Sequence, residues 1–436
     1  MTDLAIGGGA LVAILILLAL RVPIAFVLGG VSFVGIILVR GWNAALNMLG
    51  SLPHSFASSW ELSAVPMFLL MGAAAFQTGL TQSLYSAARL WLNKLPGGLA
   101  VATNFTAAGF AAASGSSVAT SAAVGRLAIP EMLKYGYDKG LATGTVAASG
   151  TLGALIPPSI AFVLYGWFTG ESVGKLLIAG LIPGIMTGAI YTLMIILRCI
   201  KSPGLAPKMT EHVTLKEKMQ ALAAVWPMPV LVLSVIGSIY SGIATPTEAG
   251  AVGAVMAFVI GAAKGKLTWA VLWRSMDDTM NTTASLFFLA IGAVILTRFL
   301  AIAGIPTFIA EVVSDLGLGP IQLVIAMAIV FLLLGMFLDP IGVMLVTLPI
   351  FLPAFEAADL NLIWIGVIVV KMIEIGLLTP PVGINVYVVK QVAGDSVPLS
   401  TVFSGVSWFL ACEVFIMVLL VAYPALSLWL PNYMGQ

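Results

Sequence analysis

The chain has 436 residues, of which 60% are hydrophobic and only 8% charged, with a formal net charge of +1. Soluble domains carry about 25% charged residues, so a mean hydropathy of +1.10 excludes a water-soluble core. The composition describes an all-α polytopic membrane protein embedded in a lipid bilayer, with no nucleic-acid partner. Its two cysteines, Cys199 and Cys412, both fall in apolar segments and suggest neither a disulfide framework nor a transition-metal site.

Apolar stretches of about 20 residues can cross a bilayer. In chain order they fall at 4–20, 22–39, 62–86, 141–165, 176–199, 221–240, 245–263, 280–302, 361–388 and 404–430. The first lacks a cationic leader and a small-residue cleavage site, so it reads as a retained helix rather than a signal peptide. Regions 98–133 and 320–357 are too long for one crossing, and each is interrupted by Gly or Pro near its middle. Each is expected to be a re-entrant hairpin, two short helices meeting at a non-helical tip. Loop 198–218 is the one sizeable hydrophilic stretch and reads as a solvated linker, with Thr210, Thr214 and Glu217 hinting at a surface helix near Val213. His54 and His212 are expected to be solvated loop residues.

Residues 113–159 concentrate polar and helix-breaking side chains inside apolar segments. Such breaks survive in a membrane only when buried in protein or lining a cavity, and they are the best sequence pointer to a transporter's binding site. The pattern returns: a shift of 223 lays Pro130 on Pro353, Gly153 on Gly376, Pro157 on Pro380 and Pro158 on Pro381, with Ser116 on Asp339. Placing the cations of loop 198–218 (Arg198, Lys201, Lys208, Lys216, Lys218) in the cytoplasm also puts Lys264, Lys266, Arg274, Lys134, Lys139, Arg89, Lys94 and Arg21 inside. Arg40 and Lys175 stay outside. On this layout both termini are periplasmic, and the two copies of the motif are inverted relative to each other. Inverted repeats hold substrate and coupling ions near the midplane, between discontinuous helices.

A sodium ion needs several hard oxygen ligands, and a broken helix supplies them from its last carbonyls and nearby hydroxyls. Ser114, Gly115, Ser116 and Ser117 can form one such tip, faced by Thr151 and by the carbonyls before Pro157 and Pro158. The second copy offers Gly335, Asp339 and the carbonyls before Pro340, plus Thr379 and Asn385. Helix N-termini at the same breaks suit an anionic carboxylate. The alternative is that these small residues only permit close helix packing. Asp339 precedes Pro340, so its carboxylate is a helix N-cap, a ligand, or both. Lys371 and Glu374, three apart in one predicted span, are expected to pair with each other. Arg126 and Arg298 are expected to snorkel toward the membrane surfaces. No nucleophile elbow, zinc motif or Walker loop is present, so the chain does not read as an enzyme.

The motifs carry a resemblance that runs through nearly the whole chain in order. They are Pro66-Met67-Phe68-Leu69-Leu70-Met71-Gly72, Gly115-Ser116-Ser117-Val118-Ala119-Thr120, Ile129-Pro130, and Gly150-Thr151-Leu152-Gly153 with Ile156-Pro157-Pro158-Ser159. Further on come Ala244-Thr245-Pro246-Thr247-Glu248-Ala249-Gly250-Ala251, Gly335-Met336-Phe337-Leu338-Asp339-Pro340 and Glu374-Ile375-Gly376-Leu377-Leu378-Thr379-Pro380-Pro381-Val382-Gly383. The sequence resembles the large membrane subunit of the TRAP, or tripartite ATP-independent periplasmic, transporters. The resemblance implies sodium-coupled uptake of an organic acid across the bacterial inner membrane by an elevator movement. It also implies a separate small four-helix membrane subunit and a soluble periplasmic substrate-binding protein as partners, and no organic cofactor.

On that resemblance residues 1–61 would be scaffold and 62–165 the first repeat of a transport domain, with its hairpin at 98–133 and broken helix at 141–165. Residues 166–279 would be scaffold. The second repeat would occupy 280–390, with its hairpin at 320–357 and broken helix at 361–388, and 391–436 would be a last scaffold helix. One sodium is implied around Ser114, Gly115, Ser116 and Ser117 with Thr151 and Pro157. A second is implied around Gly335 and Asp339 with Thr379, Pro380 and Val382. Substrate would sit near Ser116, Ser159, Asp339 and Asn385. Arg126 departs from the small or apolar residue the resemblance leads one to expect. An autonomous divalent-anion or citrate-type elevator carrier, needing no binding protein, is the alternative.

Overall fold

A computed structural model describes residues 2–20, 22–207, 213–317, 319–336 and 338–434. Arg21, Lys208, Thr210 and His212, on which parts of the charge and loop readings fall, lie outside the described residues. Among those described there is no strand. Three helices open the chain: α1 (Asp3–Ala19), α2 (Ile24–Arg40) and α3 (Trp42–Ala57). A 3-10 turn leads into α4 (Ala64–Gln77), followed by α5 (Leu80–Leu92). Next come α6 (Gly98–Ser114), α7 (Ser117–Lys134), α8 (Lys139–Gly150) and α9 (Ile160–Thr169). The middle of the chain forms α10 (Val173–Ala179), α11 (Leu181–Lys201), α12 (Leu215–Ala223), α13 (Pro227–Tyr240) and α14 (Pro246–Ala263). Then follow α15 (Trp269–Ile302), α16 (Ile305–Asp315), α17 (Pro320–Gly335) and α18 (Pro340–Ala357). The chain ends with α19 (Leu362–Gly376), α20 (Ile384–Ala393), α21 (Leu399–Ala422) and α22 (Ala425–Met434).

Six of the described helical stretches are long and apolar enough to cross a membrane, and a pair bent by 56°, Trp42–Ala57 with Trp60–Gln77, adds a seventh. The helix over 42–57 was not expected from hydropathy, because its two Asn, three Ser or His positions and Pro53 dilute the signal. The single span expected over 62–86 is two helices. Gly79, at φ +77°, adopts the left-handed backbone that only glycine enters cheaply, and it separates α4 from α5. The span expected at 280–302 begins eleven residues earlier, at Trp269. Hydropathy ends where Arg274, Asp277 and Asp278 begin, but backbone hydrogen bonding does not. The span expected over 404–430 is interrupted after Ala422, just before Pro424.

Two helix pairs stand out from the bundle. α6 and α7 are joined by Gly115 and Ser116 alone, and α17 and α18 by residues 336–339. Both match the expected hairpins to within a residue. Each broken span is also real. After Gly150, one turn of 3-10 helix (Thr151–Ala154) and an irregular stretch separate α8 from α9. After Gly376, residues 377–383 separate α19 from α20. Both interruptions carry a cis Pro-Pro bond, Pro157-Pro158 and Pro380-Pro381, at the same place under the 223-residue shift.

Two sequence expectations need correction. Lys371 does not pair with Glu374. Its ammonium lies 2.7 Å from the carboxylate of Glu413 on α21 and donates to Thr187 Oγ1 on α11 at 3.1 Å. Tyr191 donates its hydroxyl to the same Glu413 carboxylate, and all four side chains are buried. Spacing along one helix made Lys371 and Glu374 neighbours, but the fold presents them to different elements. The loop after Lys201 is also more than a solvated linker. Thr214 and Glu217 form a reciprocal cap that starts α12, and Trp91 Nε1 on α5 donates to Lys218 O at 3.0 Å. Hydrogen bonds from the Thr214 backbone and hydroxyl hold the exposed Glu217 carboxyl below its usual pKa.

Candidate transport site

The first hairpin tip is built by three serines and a glycine. Gly115, at φ +62°, ends α6 in the left-handed conformation. Ser116 then caps α7, its Oγ accepting from Ala119 N at 3.4 Å. The tip is seated on the break between α8 and α9. Ile160 N donates to Gly115 O at 3.3 Å, and a methyl group at Gly115 would lie 2.7 Å from Pro158 O. Gly153 approaches so closely that a Cβ there would sit 2.7 Å from Ser116 O. The Ser114–Ser117 tip is thus seated on the break that contains Thr151 and Pro157.

Thr120, which sequence reasoning passed over, belongs with them. Its hydroxyl lies 2.7 Å from Ser114 Oγ and 2.8 Å from Ser116 O. The signal was its position one turn beyond Ser116 on the same helix. Thr151 is fully buried, but its hydroxyl bonds back to Ala148 O at 2.6 Å. The same hydroxyl also contacts the Tyr191 phenol.

A carboxylate from the other repeat reaches this tip. Ser117 donates to Glu374 Oε2 at 2.6 Å. The 223-residue shift lays Glu374 on Thr151, so the two broken helices offer a hydroxyl and a carboxylate at equivalent positions. Glu374 is 1% exposed, which places a fully buried acid beside the serine cluster.

The second tip is arranged differently. Asp339 Oδ1 accepts from Ile341 N at 3.1 Å and Gly342 N at 3.0 Å, so its carboxylate caps α18. Gly335 packs on Gly376, where a Cβ would meet the Gly335 Cα at 2.8 Å. Thr379 Oγ1 donates to Ile375 O at 2.7 Å, and Pro380 and Val382 lie in the break beside it, Pro380 exposed. Gly383, at φ +62°, folds the chain back over the carbonyls of Leu377 and Thr379.

The capping role makes a test of Asp339. Asp339→Ala should cost about 1 kcal/mol, the usual worth of an N-cap, and Asp339→Asn should restore most of it, as read by thermal unfolding in detergent. Equal loss in both variants would show that the charge counts, rather than the capping oxygen.

Ser159 and Asn385 are fully buried. Ser159 caps α9, accepting from Phe162 N at 3.3 Å. Asn385 Nδ2 reaches Ala147 O at 3.5 Å, so this residue of the second repeat leans on the first. Its Oδ1 is buried without a partner, as is Ser121 Oγ one turn along α7 from Ser117. Hydroxyls, amide oxygens, free carbonyls and unpartnered buried oxygens are the donor set of a hard monovalent cation. Among the described residues no group of His, Cys, Asp and Glu could hold a metal ion.

A cavity of about 490 Å³ opens beside the first tip. Ser114 and Ser116 lie at one end of it, Arg126 of α7 lines it further along, and Asp278, Asn281 and Thr282 of α15 face them. Ser159, Asp339 and Asn385 do not line it. Arg126 therefore faces this space, its guanidinium 5.9 Å above the Phe76 ring.

The chain resembles known proteins over almost its whole length. Residues 11–426 match the family model described as the tripartite ATP-independent periplasmic transporter, DctM component. A C4-dicarboxylate TRAP transporter large permease protein from Pseudomonas aeruginosa is 38% identical over 410 residues, 91% of this chain and 94% of that protein. A sialic acid TRAP transporter large permease protein from Vibrio cholerae is 30% identical over 421 residues, covering 95% of this chain and 96% of its own. The 2,3-diketo-L-gulonate TRAP transporter large permease protein of Escherichia coli is 33% identical over 339 residues, 77% of this chain and 79% of that one. The solved Alcanivorax borkumensis YdaH transporter shares the fold at a TM-score of 0.63 and 15% identity, over 89% of this chain and 90% of its own. The chain belongs to the DctM family and is the large membrane permease of a TRAP transporter, a multi-pass inner-membrane protein and not an enzyme.

Proposed function

We propose that this permease imports an organic acid together with sodium, by an elevator movement that carries both hairpins across the membrane. The observation that carries the reading is that each hairpin tip is seated on a broken helix through a glycine contact, Gly153 against Ser116 and Gly376 against Gly335. Two such contacts, made by glycines at equivalent positions of the two broken helices, suit an inverted-repeat carrier with ions at the breaks. The first sodium would be held by oxygens of Ser114, Ser116, Ser117 and Thr120 with the carbonyls near Thr151 and Pro157. The second would be held by carbonyls near Gly335, Thr379, Pro380 and Val382. The relatives' names supply the substrate class, since C4-dicarboxylates, sialic acid and diketogulonate all carry carboxylates. The partners would be a small membrane subunit and a soluble periplasmic substrate-binding protein, and both termini would face the periplasm.

The moving body would be larger than the two repeats. The buried Lys371 contact to Glu413 and Thr187 ties α19 to α21 and α11. The backbones of α8 and α21 touch, since a Cβ on Gly144 would lie 2.5 Å from the Gly405 carbonyl carbon. A static α11 and α21 would require breaking a desolvated ion pair in every cycle. We therefore place both helices with the transport domain, not the scaffold.

Each net positive charge carried inward contributes about 2.3 kcal/mol per 100 mV, or roughly fifty-fold accumulation, before any sodium gradient is added. That drive can unload a binding protein without ATP. The test is uptake into proteoliposomes holding this chain and its small partner, with an inward sodium gradient and a panel of labelled organic acids. Uptake should require both sodium and the cognate binding protein. Sodium-driven uptake without the binding protein would identify an autonomous carrier instead.

A further inference from the structure

The 490 Å³ cavity has walls from α4, α6, α7 and α15. Its lining carries one cation, Arg126, and one anion, Asp278. They do not neutralise each other. Among the described residues no carboxylate lies within ion-pair distance of Arg126, and Asp278 Oδ2 instead accepts from Gln77 Nε2 at 3.4 Å. The Arg126 guanidinium lies 5.9 Å from the centre of the Phe76 ring, and its fork of donors matches a planar oxyanion. Ser116, Ala119, Ala122 and Arg126 recur at helical spacing, so one face of α7 runs from the hairpin tip to the guanidinium, both ends lining the cavity.

Ten residues separate Ser116 from Arg126, about 15 Å along the helix axis. The arginine side chain leans back toward the N-terminus of α7 and shortens that gap only in part. A second carboxylate in the same cavity would meet Asp278, the one anion of its lining, and like charges disfavour that pose. Hydroxyl groups would fit there, because Asp278 accepts, and Asn281 and Thr282 both donate and accept.

We propose that Arg126 reads the substrate's carboxylate and that Asp278 opposite it selects an acid with one carboxylate and several hydroxyls over a dicarboxylate. This rests on the transport site and organic-acid reading proposed above. Arg126 is then a specificity-determining residue, and the cavity holds the acid with its carboxylate toward the guanidinium and its polyol end along Asp278, Asn281 and Thr282.

The test uses the purified permease with its small membrane subunit, in sodium, titrated with D-gluconate and with succinate while thermal unfolding is followed. Gluconate should bind more tightly than succinate. Arg126→Gln should weaken gluconate about ten- to hundred-fold, the usual loss of a charged hydrogen-bonded contact. Arg126→Lys should recover part of it, since it keeps the charge but not the planar fork. Asp278→Asn should narrow the preference for gluconate over succinate. An unfolding temperature close to the parent's without ligand would show that each variant folds. Tighter binding of succinate, no binding of either acid to the parent protein, or unchanged gluconate binding in Arg126→Gln would each overturn the proposal. The uptake assay separates the two readings: sodium-driven, binding-protein-dependent uptake undiminished by Arg126→Gln would remove only the role of Arg126. Failure of the parent protein to take up any organic acid would remove the transport reading itself.

Discussion

Replacing Lys371 with methionine is expected to destabilise the protein by about 3–5 kcal/mol, the usual consequence of stranding one member of a buried ion pair. Lys371 is 0% and Glu413 1% exposed, so neither charge can turn to water when its partner is removed. Tyr191 would be left as a donor to Glu413, and one neutral hydroxyl does not compensate a desolvated carboxylate. The double variant Lys371→Met with Glu413→Gln removes both charges at little change of volume and should recover most of the loss. Thermal unfolding of the parent, the two single variants and the double variant in one detergent measures this cycle. A single variant as stable as the parent, or a double variant no better than the single, would show that the pair is not a structural tie.

The same cycle bears on movement. If α11 and α21 travel with α19, the pair stays intact throughout transport, and the neutral double variant should transport at close to the parent's rate. If they were static, the pair would open on every passage and reform afterwards. Neutralising it would then remove that barrier and raise the turnover rate. The turnover ratio of double variant to parent therefore decides where the moving body ends.

The hairpins were legible because glycine and proline punctuate them, and because the membrane makes such punctuation costly unless it has a protein environment. Residues 98–133 and 320–357 were bracketed to within a residue or two for that reason. Asp339 was legible as a cap because Asp before Pro at a helix start has a local cause. What stayed hidden is tertiary. Glu413 lies 42 residues from Lys371 and 222 from Tyr191, and no spacing rule connects them. Glu374 likewise bonds Ser117 across 257 residues, a contact between the two repeats that spacing within one helix does not reveal. Hydropathy also misjudged helix ends: it stopped α15 at its first charges and ran through Gly79, since it weighs solvent preference rather than backbone conformation. The role proposed for Arg126 needed the cavity, because its sequence neighbourhood is equally that of a snorkelling side chain.

Adding a methyl group at either glycine that seats a hairpin on its broken helix should sharply reduce sodium-driven uptake. In Gly153→Ala the new Cβ would lie 2.7 Å from Ser116 O, 2.8 Å from Ser116 C and 2.8 Å from Thr120 Oγ1. Real Cβ atoms do not approach so closely, and these neighbours are mainly backbone, so the tip itself must shift. Ser116 O is one of the oxygens proposed above for the first sodium, so the clash would fall at that proposed site. In Gly376→Ala the Cβ would lie 2.8 Å from Gly335 Cα and 3.0 Å from its carbonyl carbon, pushing α17 off α19. Overpacking of this kind costs typically 1–3 kcal/mol, and if paid by the sodium-bound state it lowers sodium affinity about 5- to 150-fold. The measurement is uptake rate against sodium concentration for both variants. The half-saturating sodium concentration should rise in each while the unfolding temperature without sodium falls only slightly. Equivalent effects at Gly153 and Gly376 would establish that the two repeats do the same work. A shift in one alone would assign the coupling ion to that tip, and an unchanged sodium dependence in both would separate the glycine contacts from the ion sites.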